Sequence, residues 1–414
     1  MRRLFRLPPL HPQVWILVLG RFISQIGTGI VLFYVPLYFV NQVGLAATAV
    51  GGALSSAAIA SIAGYFLAGT LVDMPSWGRR RTLMGACLLS ILADGIFLMA
   101  HSLPLLIMAN VLLGLGDSLY WPASGAAIAD LTRDDDRDTA FALSGLADSL
   151  AAGVGIVIGG LIISTSGAYP LLFWIDGFTF LAFLTVLALK VQDSQPNKTA
   201  GKVTTGLRAW WSAIANPQFA IFALANILFT TYMNWMESTL PLYFTQFLGH
   251  QGQGLAPETV GLMFSGYVLL VALVQLPLVQ RLSTFPRVDV LRLSMLLWGA
   301  GFGLIALTPV IPLDQRLLAG GALGVLAIAN ITYNPFAVAL VSDLAPAQAR
   351  GIYLSLNAQC WSVGYLVGPL IGGWAIDQAP EIARQLWIIA AFSTLVGIGI
   401  LTRCKKCLTN VSWV

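Results

Sequence analysis

Apolar residues run along this chain in long stretches, and polar ones arrive in short bursts between them. Twelve apolar segments can be marked, at roughly 14–40, 48–72, 82–101, 104–129, 139–164, 169–189, 217–247, 258–280, 289–309, 316–342, 351–375 and 384–402. Each is close to or above the ~20 residues that a helix needs to cross the hydrocarbon of a bilayer. Inside hydrocarbon every peptide N–H and C=O must be bonded within the chain, so such segments are predicted to be helices. The longest polar interval, Lys190–Asn216, reads as a linker between six segments and six. The first run begins at Val14 behind several arginines; it is too long for a signal-peptide core and is expected to stay as span one.

The two sixes repeat. Asp117–Gly160 lies without a gap on Asn330–Gly373 at an offset of 213 positions. The matches include Tyr120/Tyr333, Pro122/Pro335, Asp130/Asp343 and Arg137/Arg350. Gly155, Gly159 and Gly160 match Gly368, Gly372 and Gly373. The front ends repeat as well: Val35-Pro-Leu-Tyr-Phe39 returns as Leu240-Pro-Leu-Tyr-Phe244. A duplication at half the chain length excludes a solenoid, whose periods are roughly 20–50 residues. In a membrane protein it suggests two bundles that rock about a shared cavity.

Composition and charge sharpen this picture. The chain is 57% hydrophobic and 10% charged, whereas soluble domains carry about 25% charged residues. The net charge of +4 makes no case for a nucleic-acid partner, and four cysteines make no disulfide framework. With the N-terminus placed inside, all but three of the 22 lysines and arginines fall on the inner side; the exceptions are Arg21, Arg316 and Arg384. Both termini and the linker are therefore expected to be cytoplasmic. The expected layout is an N-terminal six-helix bundle (1–190), a cytoplasmic linker (191–216) and a C-terminal six-helix bundle (217–414).

Two motifs lie on this frame. Gly69-Thr-Leu-Val-Asp73, followed by Gly78-Arg-Arg-Arg81, joins spans two and three; Gly364-Tyr-Leu-Val-Gly368-Pro369-Leu-Ile-Gly372-Gly373 lies in span eleven. With the twelve spans, the duplication and the middle linker, they resemble the major facilitator superfamily, closest to its twelve-span drug:proton antiporter branch. The resemblance implies an all-α integral membrane fold of twelve helices in two pseudo-symmetric six-helix bundles. It also implies that Asp73, Gly78, Arg79, Arg80 and Arg81 form a conformational latch. Independently of the family, Gly364, Gly368, Gly372 and Gly373 strip one helix face of side chains for close packing, and Pro369 adds a kink. The chain departs from the family pattern in three places. The loop carries two extra residues, with Met74 where the family has arginine. Ile156 stands where span five of the family has the proline of the glycine run. Asn110-Val-Leu-Leu-Gly114 replaces an arginine motif of span four.

Six ionisable residues fall inside spans: Arg21, Asp94, Asp117, Asp148, Asp176 and Glu237. Each costs about 2.5–3.5 kcal/mol at a helix centre on insertion scales, so each should face a cavity or a partner. Counting ~1.5 Å per residue puts Arg21, Asp117 and Asp148 in the middle third of the bilayer. An Arg21–Asp117 or an Arg21–Asp148 pair is plausible, and a carboxylate left over could load and release a proton. These three residues are the proton-coupling candidates. Glu237, among Tyr232, Trp235 and methionines, suits a lipophilic cation. It joins Gln25, Tyr120, Asn234, Asn330 and Asn334 as substrate-cavity candidates. Asp94 and Asp176 are assigned to bonding between helices.

No nucleophile–base pair or metal constellation reaches the spans, and no phosphate-cradling loop appears. The chain is expected to be no enzyme and to hold neither cofactor nor metal. The expected activity is secondary transport by alternating access in the inner membrane, with proton-coupled efflux of a small amphipathic, cation-like compound. Alternatives are a lipid, lysolipid or metabolite transporter on the same fold, or a non-transporting scaffold or sensor. The expected partners are a small-molecule substrate, protons and the bilayer, around a monomer.

Overall fold

The computed structural model describes residues 10–74, 77–132, 137–191, 207–248, 254–311, 313–345 and 350–411. All regular structure among them is helical. The elements are α1 (Pro12–Asn41), α2 (Ala47–Asp73), α3 (Gly78–Met99), α4 (Leu103–Leu131), α5 (Arg137–Ser166) and α6 (Pro170–Lys190). A short α7 (Leu207–Ile214) follows, then α8 (Pro217–Asn234), a π-turn (Trp235–Thr239) and α9 (Leu240–Phe247). The remaining helices are α10 (Pro257–Leu282), α11 (Arg287–Leu307), α12 (Gln315–Leu344), α13 (Arg350–Ile376) and α14 (Pro380–Val411). Among the described residues eleven stretches are long and apolar enough to cross a membrane, with α8, the π-turn and α9 counting as one. The twelfth span is α13, whose 27 residues are long enough but include Asn357, Gln359 and Ser362. The loop insertion Pro75–Ser76 and most of the linker (192–206) lie outside the described residues.

Sequence chemistry sets the ends. Proline opens α1, α6, α8, α10 and α14, where its missing N–H costs nothing. Asn216 caps α8 by accepting from the backbone N–H groups of Gln218 and Phe219 at 3.0 and 3.4 Å. Gly78, the glycine of the arginine loop and the first residue of α3, turns at φ +74°, a conformation that strains any residue carrying a β-carbon. The π-turn sits directly before Pro241. That proline has no N–H to offer Glu237 four residues back, and the helix widens so that Leu240 N–H bonds Trp235 C=O.

Two compact units result: residues 1–34 with 56–199, and residues 35–55 with 200–414. In the first unit, α1 and α5 approach closely. A β-carbon on Gly29 would strike the backbone of Ala152, one on Gly155 the carbonyl of Ile26, and one on Gly159 the ring of Tyr34. In the second unit α8 and α13 do the same at the repeat-related positions. Gly364 lies on Thr230, Gly368 on Asn234 and Gly372 on Thr239. The glycines are spaced four and four, whereas their partners are spaced four and five. The π-turn supplies the extra residue and keeps the two helices in register.

The segment Val35–Ser55, which belongs by sequence to the N-terminal bundle, packs in the second unit. Gly51 meets the carbonyl of Pro369, Gly373 meets that of Ala47, and Ser55 Oγ donates to Leu366 O at 2.7 Å. At the start of α2 the Asp377 carboxylate accepts from the N–H groups of Ala47 and Thr48 at 2.7 and 2.6 Å. It occupies the place of an N-cap side chain and meets the positive end of the helix. Asp377→Ala should cost about 0.5–2 kcal/mol, the range for a lost cap. Asp377→Asn should recover part of it. Thermal unfolding of the purified protein reads both, and an unchanged midpoint in the alanine variant would remove the cap from the account.

Candidate functional site

The first unit places Arg21 at its polar centre. The side chain is 6% exposed and makes a two-point contact with Asp148 of α5, whose side chain is 14% exposed. Nε donates to Asp148 Oδ1 at 3.1 Å and Nη2 to Oδ2. Nη1 donates to Ser124 Oγ of α4 at 2.6 Å. The guanidinium carbon also stands 5.1 Å from the Trp121 ring centre and 5.8 Å from that of Tyr120. Ser24, one turn along α1, shares a hydrogen bond of 3.3 Å with the Tyr120 hydroxyl, and Gln25 reaches the same hydroxyl. One helical face of α1 therefore presents Arg21, Ser24 and Gln25 to α4 and α5. Fork geometry and partial stacking are what guanidinium offers and ammonium does not.

Of the two aspartates that sequence depth allows beside Arg21, only Asp148 is there. Asp117, half-buried on α4, forms no described hydrogen bond or ion pair. It lies within electrostatic reach of Tyr65 on α2 and Asp176 on α6. Its repeat partner keeps the same kind of neighbour: Asn330 Nδ2 donates to the hydroxyl of Tyr267 on α10 at 2.8 Å.

The polar centre of the second unit is Glu237, carried on the π-turn. Its Oε2 accepts from the Tyr365 hydroxyl, and Tyr267 is within electrostatic reach. An aromatic row leads to this carboxyl. Phe229 stacks on Tyr333 at 4.3 Å, and Trp361 lies 6.3 Å from Tyr333 and 6.1 Å from Tyr365. Asn234 is buried, its Oδ1 accepting from Ser238 Oγ at 3.1 Å. Asn334 is exposed. Below the row lies a network that the sequence reading did not pick out. Tyr333 donates to Asn226 Oδ1 and Asn226 Nδ2 to Asn357 Oδ1, both at 2.9 Å. The available signal was Tyr333, the repeat partner of Tyr120. Each tyrosine ties the fourth span of its half to a polar residue of the first.

The arginine loop is engaged within the first unit. Arg79 Nε meets Asp130 Oδ2 of α4 at 2.6 Å. Arg80 donates to the carbonyls of Leu187 and Ala188, at 2.9 and 2.6 Å, at the C-terminal end of α6. Arg287 at the start of α11 bonds Asp343, the repeat partner of Asp130, so the second unit reproduces the Arg79 bridge. Arg81 is exposed, and the side chain of Asp73 lies outside what is described.

Known proteins agree with this architecture. The chain is 26% identical over 396 residues to the multidrug resistance protein MdtH of Aeromonas hydrophila, covering 95% of this chain and 94% of that one. It is 24% identical over 378 residues to a Na(+), Li(+), K(+)/H(+) antiporter of Planococcus maritimus, covering 85% and 87%. Among solved structures, the nucleoside transporter NupG superposes with a TM-score of 0.80 at 14% identity, over 94% of this chain and 99% of NupG, which speaks for the fold alone. The sequence profile of the Major Facilitator Superfamily matches residues 17–256 and again 251–405. With the duplicated halves, the twelve spans and these matches together, the chain belongs to the Major Facilitator Superfamily and is a multi-pass transporter of the inner membrane.

Proposed function

We propose that the protein exports a small amphipathic, cationic compound in exchange for protons, with both termini on the cytoplasmic side. The observation that carries this reading is the division of carboxylates around Arg21. Asp148 and Arg21 neutralise each other, so Asp117 stands in a span without a cation. A proton arriving on Asp148 breaks the two-point contact and frees the guanidinium, while Asp117 is the second carboxyl able to take one up. Glu237, at the end of the row Phe229–Tyr333–Trp361–Tyr365, offers a cation one negative charge beside aromatic faces. The names of the relatives, a multidrug resistance protein and a cation/proton antiporter, support the same assignment. The excess of lysine and arginine on one side supports the orientation.

Reconstituted vesicles with an imposed pH gradient and a lipophilic cationic dye test it. The parent should accumulate dye against its gradient. Asp117→Asn and Asp148→Asn should each abolish accumulation driven by the pH gradient while retaining dye–dye exchange. Undiminished pH-driven accumulation in both variants would refute proton coupling through this cluster.

A further inference from the structure

Of the six ionisable residues placed inside spans, two carboxyl groups remain that this reading does not use. Asp94 of α3 and Asp176 of α6 are 2% and 0% exposed, and their carboxyls meet. Asp94 Oδ2 lies 3.7 Å from where a β-carbon on Gly177 would stand. Asp176 Oδ1 presses on Gly27 of α1, a place no side chain could share, and accepts from Thr179 Oγ1 at 3.4 Å. Both oxygens of Asp94 and Oδ2 of Asp176 are buried without any donor. The titratable groups facing the pair from neighbouring helices are Asp117 of α4 and, beside it, Tyr65 of α2. Among the described residues no lysine, arginine or histidine pairs with either carboxyl.

An ionised carboxylate only accepts hydrogen bonds. Two of them face to face would leave three buried oxygens unsatisfied and would add like-charge repulsion to the desolvation of both. One proton changes every part of this: an oxygen becomes a donor, the facing oxygen gains its bond, and one of the two charges is removed. We propose that Asp94 and Asp176 form a second proton-binding site, with at least one proton bridging their carboxyls, separate from the Arg21–Asp148 pair. Release breaks one O–H bond, leaves both groups anionic and passes the proton to water; nothing is oxidised or reduced. Gly27 closes the site on the α1 side, six residues along the same helix from Arg21.

The site does not depend on the transport reading, and its test reads protons directly. Infrared spectra of the full-length protein in lipid are recorded at neutral pH in H2O and D2O for the parent, Asp94→Asn and Asp176→Asn. The parent-minus-variant difference should contain a carboxylic-acid C=O band that shifts in D2O. The variants should stay folded, because an asparagine amide supplies the donor that the proton supplied. Raising the pH should remove the band and lower the thermal midpoint of the parent, while each variant keeps its midpoint. A difference containing carboxylate bands alone overturns the proposal, and if those bands move on adding LiCl or NaCl the occupant is a monovalent metal cation. Should the variants fail to fold, the band is sought in the background Asp117→Asn/Glu237→Gln, where its absence at neutral pH also overturns it.

Discussion

Asp148→Asn should destabilise the protein by about 3–5 kcal/mol, the cost of leaving one member of a buried ion pair without its partner. The guanidinium of Arg21 would keep Ser124 and the faces of Tyr120 and Trp121 but lose the counter-charge it pairs with. Arg21→Met should cost a similar amount by stranding the carboxylate. The double variant Arg21→Met/Asp148→Leu should be more stable than either single one, because two apolar groups of similar volume leave nothing buried and charged. Denaturant unfolding of the four proteins gives the coupling directly. Single variants within about 1 kcal/mol of the parent would place the pair with exposed ones, which water screens. The double variant separates stability from transport: it should fold and show no pH-driven flux.

The second large effect is expected where α13 lies on α8. A β-carbon on Gly368 would strike Asn234 Oδ1 first and would sit 2.9 Å from its Cγ and 3.0 Å from its Cβ. Gly368→Ala should therefore cost about 1–3 kcal/mol, as overpacked cores do, and Gly368→Val more. The indole Nε1 of Trp235 donates to the Gly368 carbonyl at 2.9 Å, so pushing the helices apart also loses a buried bond. Asn234→Ala should recover part of the loss in the Gly368→Ala background, since it removes the atoms that collide. If Gly368→Ala unfolds at the parent's midpoint, the helices can separate freely and the glycine face is not what holds them.

Both predictions concern the same physics. Packing in hydrocarbon gains nothing from excluding water, so close backbone approach and satisfied polar groups hold helices together. Residues of both kinds recur in the repeat: Gly155/Gly368 and Gly159/Gly372 for close approach, Tyr120/Tyr333 and Asp130/Asp343 for polar bonding. Arg79–Asp130 and Arg287–Asp343 do one job twice, as do Tyr120–Ser24 and Tyr333–Asn226. Asp117 and Asn330 mark where the halves diverge. The slot stays polar and faces a tyrosine in both, yet only the first half keeps a charge.

The order of apolar runs, the duplication and the depth of each charged residue were all readable in the sequence. They follow from local composition and from a helical rise of ~1.5 Å per residue, which fixes height along a span. Height is not direction. Two aspartates at one depth were equal candidates for Arg21, and only the packing of α1 against α4 and α5 selected Asp148 and left Asp117 toward α2 and α6. The facing of Asp94 and Asp176 was likewise invisible, because no local pattern tells a helix which neighbour its polar residue will meet. The placing of residues 35–55 in the second unit belongs to the same class. Each is settled by contacts between segments far apart in the chain, where close approach and unmet hydrogen bonds outweigh anything written in the segment itself.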